Sequence, residues 1–487
     1  MHKNLIFNPK YLLRNDVDRV LLTNKRDFPR NGIYYFVHPI HAMLLSHFNG
    51  AEDMNTTMSK ICKDFNINMD VAKRLIDPII KNQEEVTYRY DGNVFTLPPE
   101  ILVENSSNMI RSDLNEENYE IDKPLNFSRR RLGRPVTLIF CINLKCYTDC
   151  VYCYANRKAH YKAMTPDQWV NLIYEAKEEG IASIELTGGE FYLNPEWDKI
   201  AKALLDCGYD CEASTKVPLS KETIDRAAAI GIKKIQFSLD TLDAETAVTD
   251  LCVNKNYTSL IKDSIKYCDQ KGINVVIKPT LTKQTATKEN VGQIIDFVKE
   301  LKHVDRCVFT IIGYSMYKTD QNYLDIRPSK EQMEEVANLV IHRSSEVSCP
   351  MYNDNGLTSA SELCSYKAFK NRALCTANVD GLVILPDGQV SVCEEMYWHQ
   401  AFLLGDVKKN TIKEIWNSEK ALKLWNISQE DIPEDSKCHT CQEFNKCRRG
   451  LGVCWKMAMQ AYGLDKYYYP DPRCPRATTP VHPFCFD

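Results

Sequence analysis

Apolar residues in the middle of the chain fall into short runs separated by stretches with helical spacing. Val136–Phe140, Ser183–Leu186, Cys211–Ser214, Lys234–Leu239, Asn274–Pro279 and Val308–Ile312 predict strands. Pro166–Glu179, Trp197–Cys207, Lys221–Ala229, Asn256–Lys271 and Lys288–Leu301 predict helices between them. Such alternation predicts an α/β region of parallel βα units over residues 132–345. Ligands in these sheets gather at the carboxyl ends of the strands.

The pattern before residue 100 is different. Val20–Thr23 and Gly32–Val37 predict short strands. Helical spacing follows over His38–Phe48, Met54–Phe65 and Asp70–Lys81. Val86–Tyr90 and Asn93–Leu97 then flank Asp91-Gly92, a hairpin signal. Strands, three helices and a β-wing predict a small winged-helix-like α+β domain over residues 1–100. A polar stretch from Glu104 to Arg131 predicts a linker over 101–131. Residues 346–487 form a third, cysteine-bearing region.

Composition narrows the function classes. The 487 residues are 44% apolar and 26% charged with a formal net charge of −4, which points to no nucleic-acid or membrane partner. No apolar run approaches a membrane span, and the first residues lack a signal-peptide core, so the expected location is cytoplasmic. Winged helices often bind DNA. Here the basic side chains between residues 50 and 90 are balanced by Glu52, Asp53, Asp64, Asp70, Asp77, Glu84 and Glu85, and no basic face emerges.

Twenty cysteines in a chain of this size point to metal ligation rather than to disulfide stapling. Cys62, Cys207, Cys252, Cys268 and Cys307 lie in amphipathic segments and are expected to be buried small hydrophobes. Cys146-Tyr-Thr-Asp-Cys150-Val-Tyr-Cys153 is different, because it places three thiols on a loop just after the first strand of the middle region. Three such thiols can hold three irons of a [4Fe–4S] cube and leave the fourth iron open. A zinc knuckle is the alternative, but structural zinc takes four ligands, and the nearest further thiol, Cys141, precedes the loop.

Later strands also end in polar turns: Thr187-Gly-Gly-Glu190, Ser214-Thr-Lys216 and Phe237-Ser-Leu-Asp240. The cysteine spacing, the aromatic residue before the last cysteine and the order of these turns resemble the radical S-adenosylmethionine (radical SAM) family. The resemblance implies a partial (β/α)6 barrel with SAM on the open iron of a cluster held by Cys146, Cys150 and Cys153. It implies that Gly188, Gly189 and Glu190 meet the methionyl amino group, Ser238 and Asp240 the ribose, and Tyr152 the adenine. Many relatives carry Thr-Asn-Gly where this chain has Ser214-Thr-Lys216, so Lys216 is expected to neutralise the SAM carboxylate beside Ser214.

Toward the end of the chain, Gly381–Val392 predicts a hairpin turning at Pro386-Asp-Gly388, between Cys375 and Cys393. Cys438, Cys441, Cys447, Cys454 and Cys474 follow. This order resembles the SPASM extension, which implies two auxiliary [4Fe–4S] clusters, three clusters in all. Cys438, Cys441, Cys447 and Cys474 would hold one; Cys375, Cys393 and Cys454 would hold the other. Two features depart from the family pattern. Arg448-Arg-Gly-Leu-Gly-Val453 puts six residues where three are usual, and no cysteine lies between Thr376 and Val392. The first auxiliary cluster is then left with an open iron, or borrows Cys364 or Cys349. A zinc ribbon spanning Cys438 to Cys454 is the rival reading. Cys485 is not expected to be a ligand.

The N-terminal domain resembles the PqqD-like element that binds leader peptides in ribosomally made peptide natural products, where the leader adds a strand to a small sheet. Together the resemblances imply a peptide-modifying radical SAM oxidoreductase that takes precursor peptide, SAM and electrons from a flavodoxin- or ferredoxin-like donor. Thioether cross-linking is the first expectation, and a carbon–carbon or carbon–oxygen cyclophane the second. Alternatives are a protein-modifying oxidase similar to anaerobic sulfatase-maturating enzymes and a redox-sensing DNA-binding regulator.

Overall fold

The computed structural model describes residues 4–24, 34–105, 114–318, 323–353, 369–372 and 374–477. Cys364, Cys485 and the start of the Gly32–Val37 run lie outside them. The chain forms two compact units, Met1–Thr137 with Ala176–Ser183, and Leu138–Glu175 with Ile184–Asp487. Among the described residues no helix is long and apolar enough to cross a membrane.

The first unit begins with β1 (Leu5–Phe7), β2 (Tyr11–Asn15), β3 (Val20–Asn24) and β4 (Tyr34–Val37). Helices α1 (Pro39–Ser46), α2 (Met54–Asp64) and α3 (Met69–Ile76) follow, then the hairpin β5 (Val86–Tyr90) and β6 (Asn93–Leu97), and β7 (Leu102–Glu104). Strands β2, β3 and β4 make an antiparallel sheet in which Leu13 faces Leu22 and Val20 faces Val37. Strand β1 pairs with β7 through Ile6 and Val103. These strands escape the sequence pattern because three residues are too few to show alternation. Side chains of Asp53 and Asn68 accept from Thr56 N and Val71 N and so cap α2 and α3. The third helix stops at Ile76, short of the expected Lys81: Pro78 has no N–H to continue the helical hydrogen bonds, and a 3-10 turn over Asp77–Ile79 takes over. Leu13, Val20, Leu22, Leu44, Phe48, Ile61 and Ile76 fill the core.

Two buried arginines clamp the polar stretch that follows. Arg19 donates through Nε to Asp16 Oδ2 at 3.0 Å, and through its terminal nitrogens to the carbonyls of Asn126, Arg129 and Arg131. Arg14 donates to the carbonyls of Pro135, Arg134 and Gly180 at 2.9, 3.0 and 3.0 Å. Asp16 completes the arrangement by accepting from Gly133 N at 2.7 Å. Burial lowers the Arg14 pKa to about 10, which still leaves it charged at neutral pH.

The second unit carries β8 (Thr137–Cys141), α4 (Pro166–Glu178), β9 (Ser183–Thr187), α5 (Trp197–Asp206), β10 (Ser214–Thr215), α6 (Lys221–Ile230) and β11 (Lys234–Phe237). Then come α7 (Ala244–Leu251), α8 (Tyr257–Gln270), β12 (Asn274–Ile277), β13 (Thr280–Leu281), α9 (Lys288–Lys299) and β14 (Val304–Ile311). Strands β10, β11, β12 and β14 lie parallel in that order, with Ile235 opposite Val275 and Ile277 opposite Cys307. The architecture is the α/β one that the alternation predicts. Of the expected Cys211–Ser214 strand only Ser214 is ladder-paired, in β10 (Ser214–Thr215), which ends its sheet and has one partner there.

After α10 (Tyr323–Ile326) and α11 (Lys330–Arg343) a further strand, β15 (Met351–Asn353), pairs parallel with β14. Strands β16 (Gly381–Ile384) and β17 (Gln389–Ser391) form the expected hairpin, and β18 (Leu403–Asp406) joins it. Strand β16 is also hydrogen-bonded to β8, giving the order β18-β17-β16-β8-β9. The C-terminal hairpin thus extends the sheet at the strand that leads into the cysteine loop. Helices α12 (Ile412–Trp416), α13 (Glu419–Trp425) and α14 (Trp455–Tyr462) complete the unit.

Removing a guanidinium from a fully buried network leaves its carboxylate and carbonyls unpaired. Arg19→Ala is expected to destabilise the first unit by about 3–5 kcal/mol in denaturant unfolding, whereas Lys60→Ala, whose partner Glu52 sits at the surface, should cost under about 1 kcal/mol.

Candidate cofactor and cluster sites

The loop after β8 has no regular structure, and its backbone is held from outside. Asp149 N and Val151 N donate to the carbonyls of Leu251 and Asp250, at the end of α7, at 3.0 and 2.9 Å. Lys318 Nζ donates to the Cys150 carbonyl at 3.0 Å, and Arg157 donates to that of Thr148 at 2.8 Å. On this scaffold Cys146, Cys150 and Cys153 line one cavity of about 320 Å³, none of them in a disulfide. Burial pushes the Cys146 thiol up to about 12 and raises Cys150 as well, while neighbouring thiols add to both shifts. Cys146 and Cys150 therefore need a bound cation, such as the iron of a cluster, to be held as thiolates.

Gly188, Gly189, Glu190, Ser214, Lys216, Ser238 and Tyr152 line the same cavity, together with Arg157, Thr187, Thr280 and Thr310, which the motifs did not indicate. The two glycines owe their smallness to the protein itself. A Cβ on Gly188, at φ +107°, would sit 2.5 Å from the Asn143 carbonyl oxygen, and one on Gly189 would overlap that of Lys145. This close approach lets Gly189 N donate to Asn143 O at 2.6 Å and Glu190 N to Lys145 O at 2.7 Å, tying the glycine turn to the chain entering the cysteine loop.

Glu190 is buried, and its carboxylate accepts from Thr215 Oγ1 at 2.7 Å and Lys216 N at 3.0 Å. Burial raises its pKa, and these donors oppose the rise. Each carboxylate oxygen keeps a second lone pair that an ammonium group could use. Asp240 departs from its expected role. Its side chain is 1% exposed and absent from the cavity wall, and both oxygens are engaged. Oδ1 accepts from Thr280 N at 2.8 Å, while Oδ2 accepts from the Tyr152 hydroxyl and lies 3.4 Å from Lys216 Nζ. Asp240 therefore orients two cavity residues from behind. Burial alone would lower Lys216, but Asp240, Cys150 and Glu190 raise its pKa and keep it cationic.

The C-terminal thiols separate into two groups. Cys438, Cys441, Cys447 and Cys474 line a second cavity of about 440 Å³. Cys454 is not among them, so the ribbon set running from Cys438 to Cys454 is not assembled. Cys454 instead lies close enough to Cys393 to raise its pKa. Cys393 follows the end of β17 by two residues, and Gly381, at the start of the paired β16, bridges Ala377, two residues after Cys375. Cys349 is placed elsewhere, at the start of β15 beside Cys307, and is unavailable to this group. Among the cysteines expected to be core, Cys207, Cys268 and Cys307 are buried and Cys62 half-buried, but Cys252 is exposed at the left-handed end of α7. The motifs also passed over Glu394, next to Cys393, which accepts from Thr187 Oγ1 at 3.3 Å.

Residues 141–298 match the model of the radical SAM superfamily, and 375–442 match that of the SPASM iron–sulfur cluster-binding domain. A probable GTP 3′,8-cyclase of Thermococcus kodakarensis is 22% identical over 275 residues, covering 54% of this chain and 86% of its own. The crystal structure of Streptococcus suis SuiB bound to S-adenosylmethionine superimposes with a TM-score of 0.66 at 16% identity, covering 96% of this chain and all of SuiB. SuiB bound to precursor peptide SuiA gives 0.63 at 17% identity, covering 96% and 98%.

Since Gly189 has no room for a methyl group, Gly189→Ala should shift the turn against the cysteine loop. About a 100-fold fall in 5′-deoxyadenosine formation is expected, measured by chromatography after anaerobic incubation with SAM and dithionite. Gly208→Ala, in open space, should keep the parental rate within about twofold despite its positive φ.

Proposed function

We propose that this chain, a radical SAM enzyme with an SPASM iron–sulfur domain, matures a ribosomally made precursor peptide by closing an intramolecular cross-link, with a thioether as the favoured product. The observation that carries this reading is the end-to-end likeness to SuiB, whose structure with a precursor peptide covers 96% of this chain. The cyclase relative, by contrast, matches about half of it.

Cys146, Cys150 and Cys153 hold the SAM-binding cluster in this reading, and the auxiliary clusters take the two C-terminal cysteine groups. When bound, SAM and its cluster supply a carbon radical that removes hydrogen from an unactivated C–H bond. The chain's own residues bind and orient. Glu190 accepts from the SAM ammonium group, Lys216 faces its carboxylate, Ser214 and Ser238 line the cavity wall, and Asp240 fixes the Tyr152 ring and Lys216 from behind. With Cys375, Cys393 and Cys454 as its only thiols, rather than with Cys364 as a fourth, the first auxiliary cluster has one corner for a substrate thiolate, and that arrangement favours carbon–sulfur closure over a cyclophane.

In the first unit, β4 ends the three-stranded sheet, and its residues Tyr34–Phe36 are half-buried. A leader peptide in extended form adds beside such a strand by backbone pairing. Electrons come from a flavodoxin- or ferredoxin-like protein.

The test uses the full chain, anaerobically reconstituted, with SAM, dithionite and the precursor peptide encoded beside its gene. Mass spectrometry should show loss of two hydrogens per cross-link, with the product resisting thiol alkylation. Loss of mass with thiols still alkylated would assign a carbon–carbon or carbon–oxygen bond instead. Replacing Cys146, Cys150 and Cys153 by alanine should abolish both 5′-deoxyadenosine and the mass change. An unaltered peptide beside abundant 5′-deoxyadenosine would overturn the maturase reading.

A further inference from the structure

Three of the four sulfurs around the larger C-terminal cavity have a guanidinium N–H donor. Arg372 Nη2 lies 3.3 Å from Cys447 Sγ, Arg448 Nη2 3.3 Å from Cys438 Sγ, and Arg476 Nη1 2.9 Å from Cys441 Sγ. Two of the guanidiniums are buried and built in. Arg372 also donates to the carbonyls of Phe369 and Gly452 at 2.6 and 2.7 Å, and Arg448 to those of Tyr468 and Tyr469 at 2.8 and 2.7 Å. Arg448 opens the six-residue stretch between Cys447 and Cys454 and lies in a π-helical turn over Asn445–Leu451. Arg476 is exposed.

Three cations on three of four sulfurs exceed what packing requires. A cluster bearing four thiolates is an anion and gains one more negative charge when reduced. Nearby cations and N–H donors therefore stabilise its reduced form over its oxidised form. Asp471 is the buried acid of this neighbourhood, and it is committed to Arg473 through a two-point pair at 2.9 and 2.8 Å.

We propose that Arg372, Arg448 and Arg476 are positioning residues that raise the reduction potential of the cluster held by Cys438, Cys441, Cys447 and Cys474, favouring its uptake of the electron released when the cross-link closes. The inference rests on reading those thiols as cluster ligands. The acceptor gains one electron and passes from the oxidised to the singly reduced state. The proton lost with it from the substrate goes to solvent or a base.

The test is an EPR-monitored redox titration of reconstituted full-length protein lacking the three SAM-cluster thiols, so that only the auxiliary clusters titrate. Arg448→Gln, Arg372→Gln and Arg476→Gln should each lower the reduction equilibrium constant of one cluster about tenfold, or about 59 mV for a one-electron couple, and leave the other unmoved. Arg476→Lys should recover most of the shift at that position. Arg476 is at the surface, so its variant decides the matter if the buried variants fail to load. A normal iron and sulfide content with no shift in Arg476→Gln would overturn the proposal. Iron short of two clusters in the Arg476 parent, or zinc in place of iron, would defeat the ligand reading instead.

Discussion

An irregular loop that must present three sulfurs to one cavity cannot hold its own shape, and the rest of the second unit is arranged to supply the missing hydrogen bonds. The end of α7 takes the amides of Asp149 and Val151, while Asn143 and Lys145 take those of Gly189 and Glu190. Both glycines sit where any side chain would strike the β8 exit. The turn that bounds the cavity and the loop that carries the thiols are thereby one rigid piece. Small displacements at either are transmitted to the sulfurs, because buried backbone donors tolerate little loss of pairing.

Charge is handled in the same way in both cavities, by burying an ion only with its partners. Asp240, nearly inaccessible, is met by the Tyr152 hydroxyl, Lys216 and an amide. Around the C-terminal thiols the sign is reversed, and guanidiniums face sulfur. One cavity mixes acidic and basic groups, as a zwitterionic ligand such as SAM requires. The other is dominated by cations, as an anionic cluster requires.

The first unit shows the same economy in backbone pairing. Arg14 and Arg19 use their terminal nitrogens on carbonyls of residues 126–135 and on that of Gly180. A polar stretch that reads as a linker is consequently packed along the β2–β3 hairpin over its described part. Nothing in its composition announces this, because the clamp lies more than a hundred residues earlier in the chain.

Local chemistry made a large part of the molecule legible beforehand. The alternation of runs and helices set the α/β class, Asp91-Gly92 and Pro386-Asp-Gly388 set two hairpins, and the spacing of Cys146, Cys150 and Cys153 confined three ligands to one short loop. Such features depend on neighbours within a few residues, where chain geometry alone decides proximity. What required the tertiary structure involves partners far apart in sequence: Cys454 falling beside Cys393 rather than with Cys438, Asp240 turning its carboxylate away from the cavity toward Tyr152, and Arg372 meeting Cys447. Those outcomes depend on how helices and sheets pack, and a side chain's choice between several reachable partners is settled only when burial makes every unpaired polar group costly.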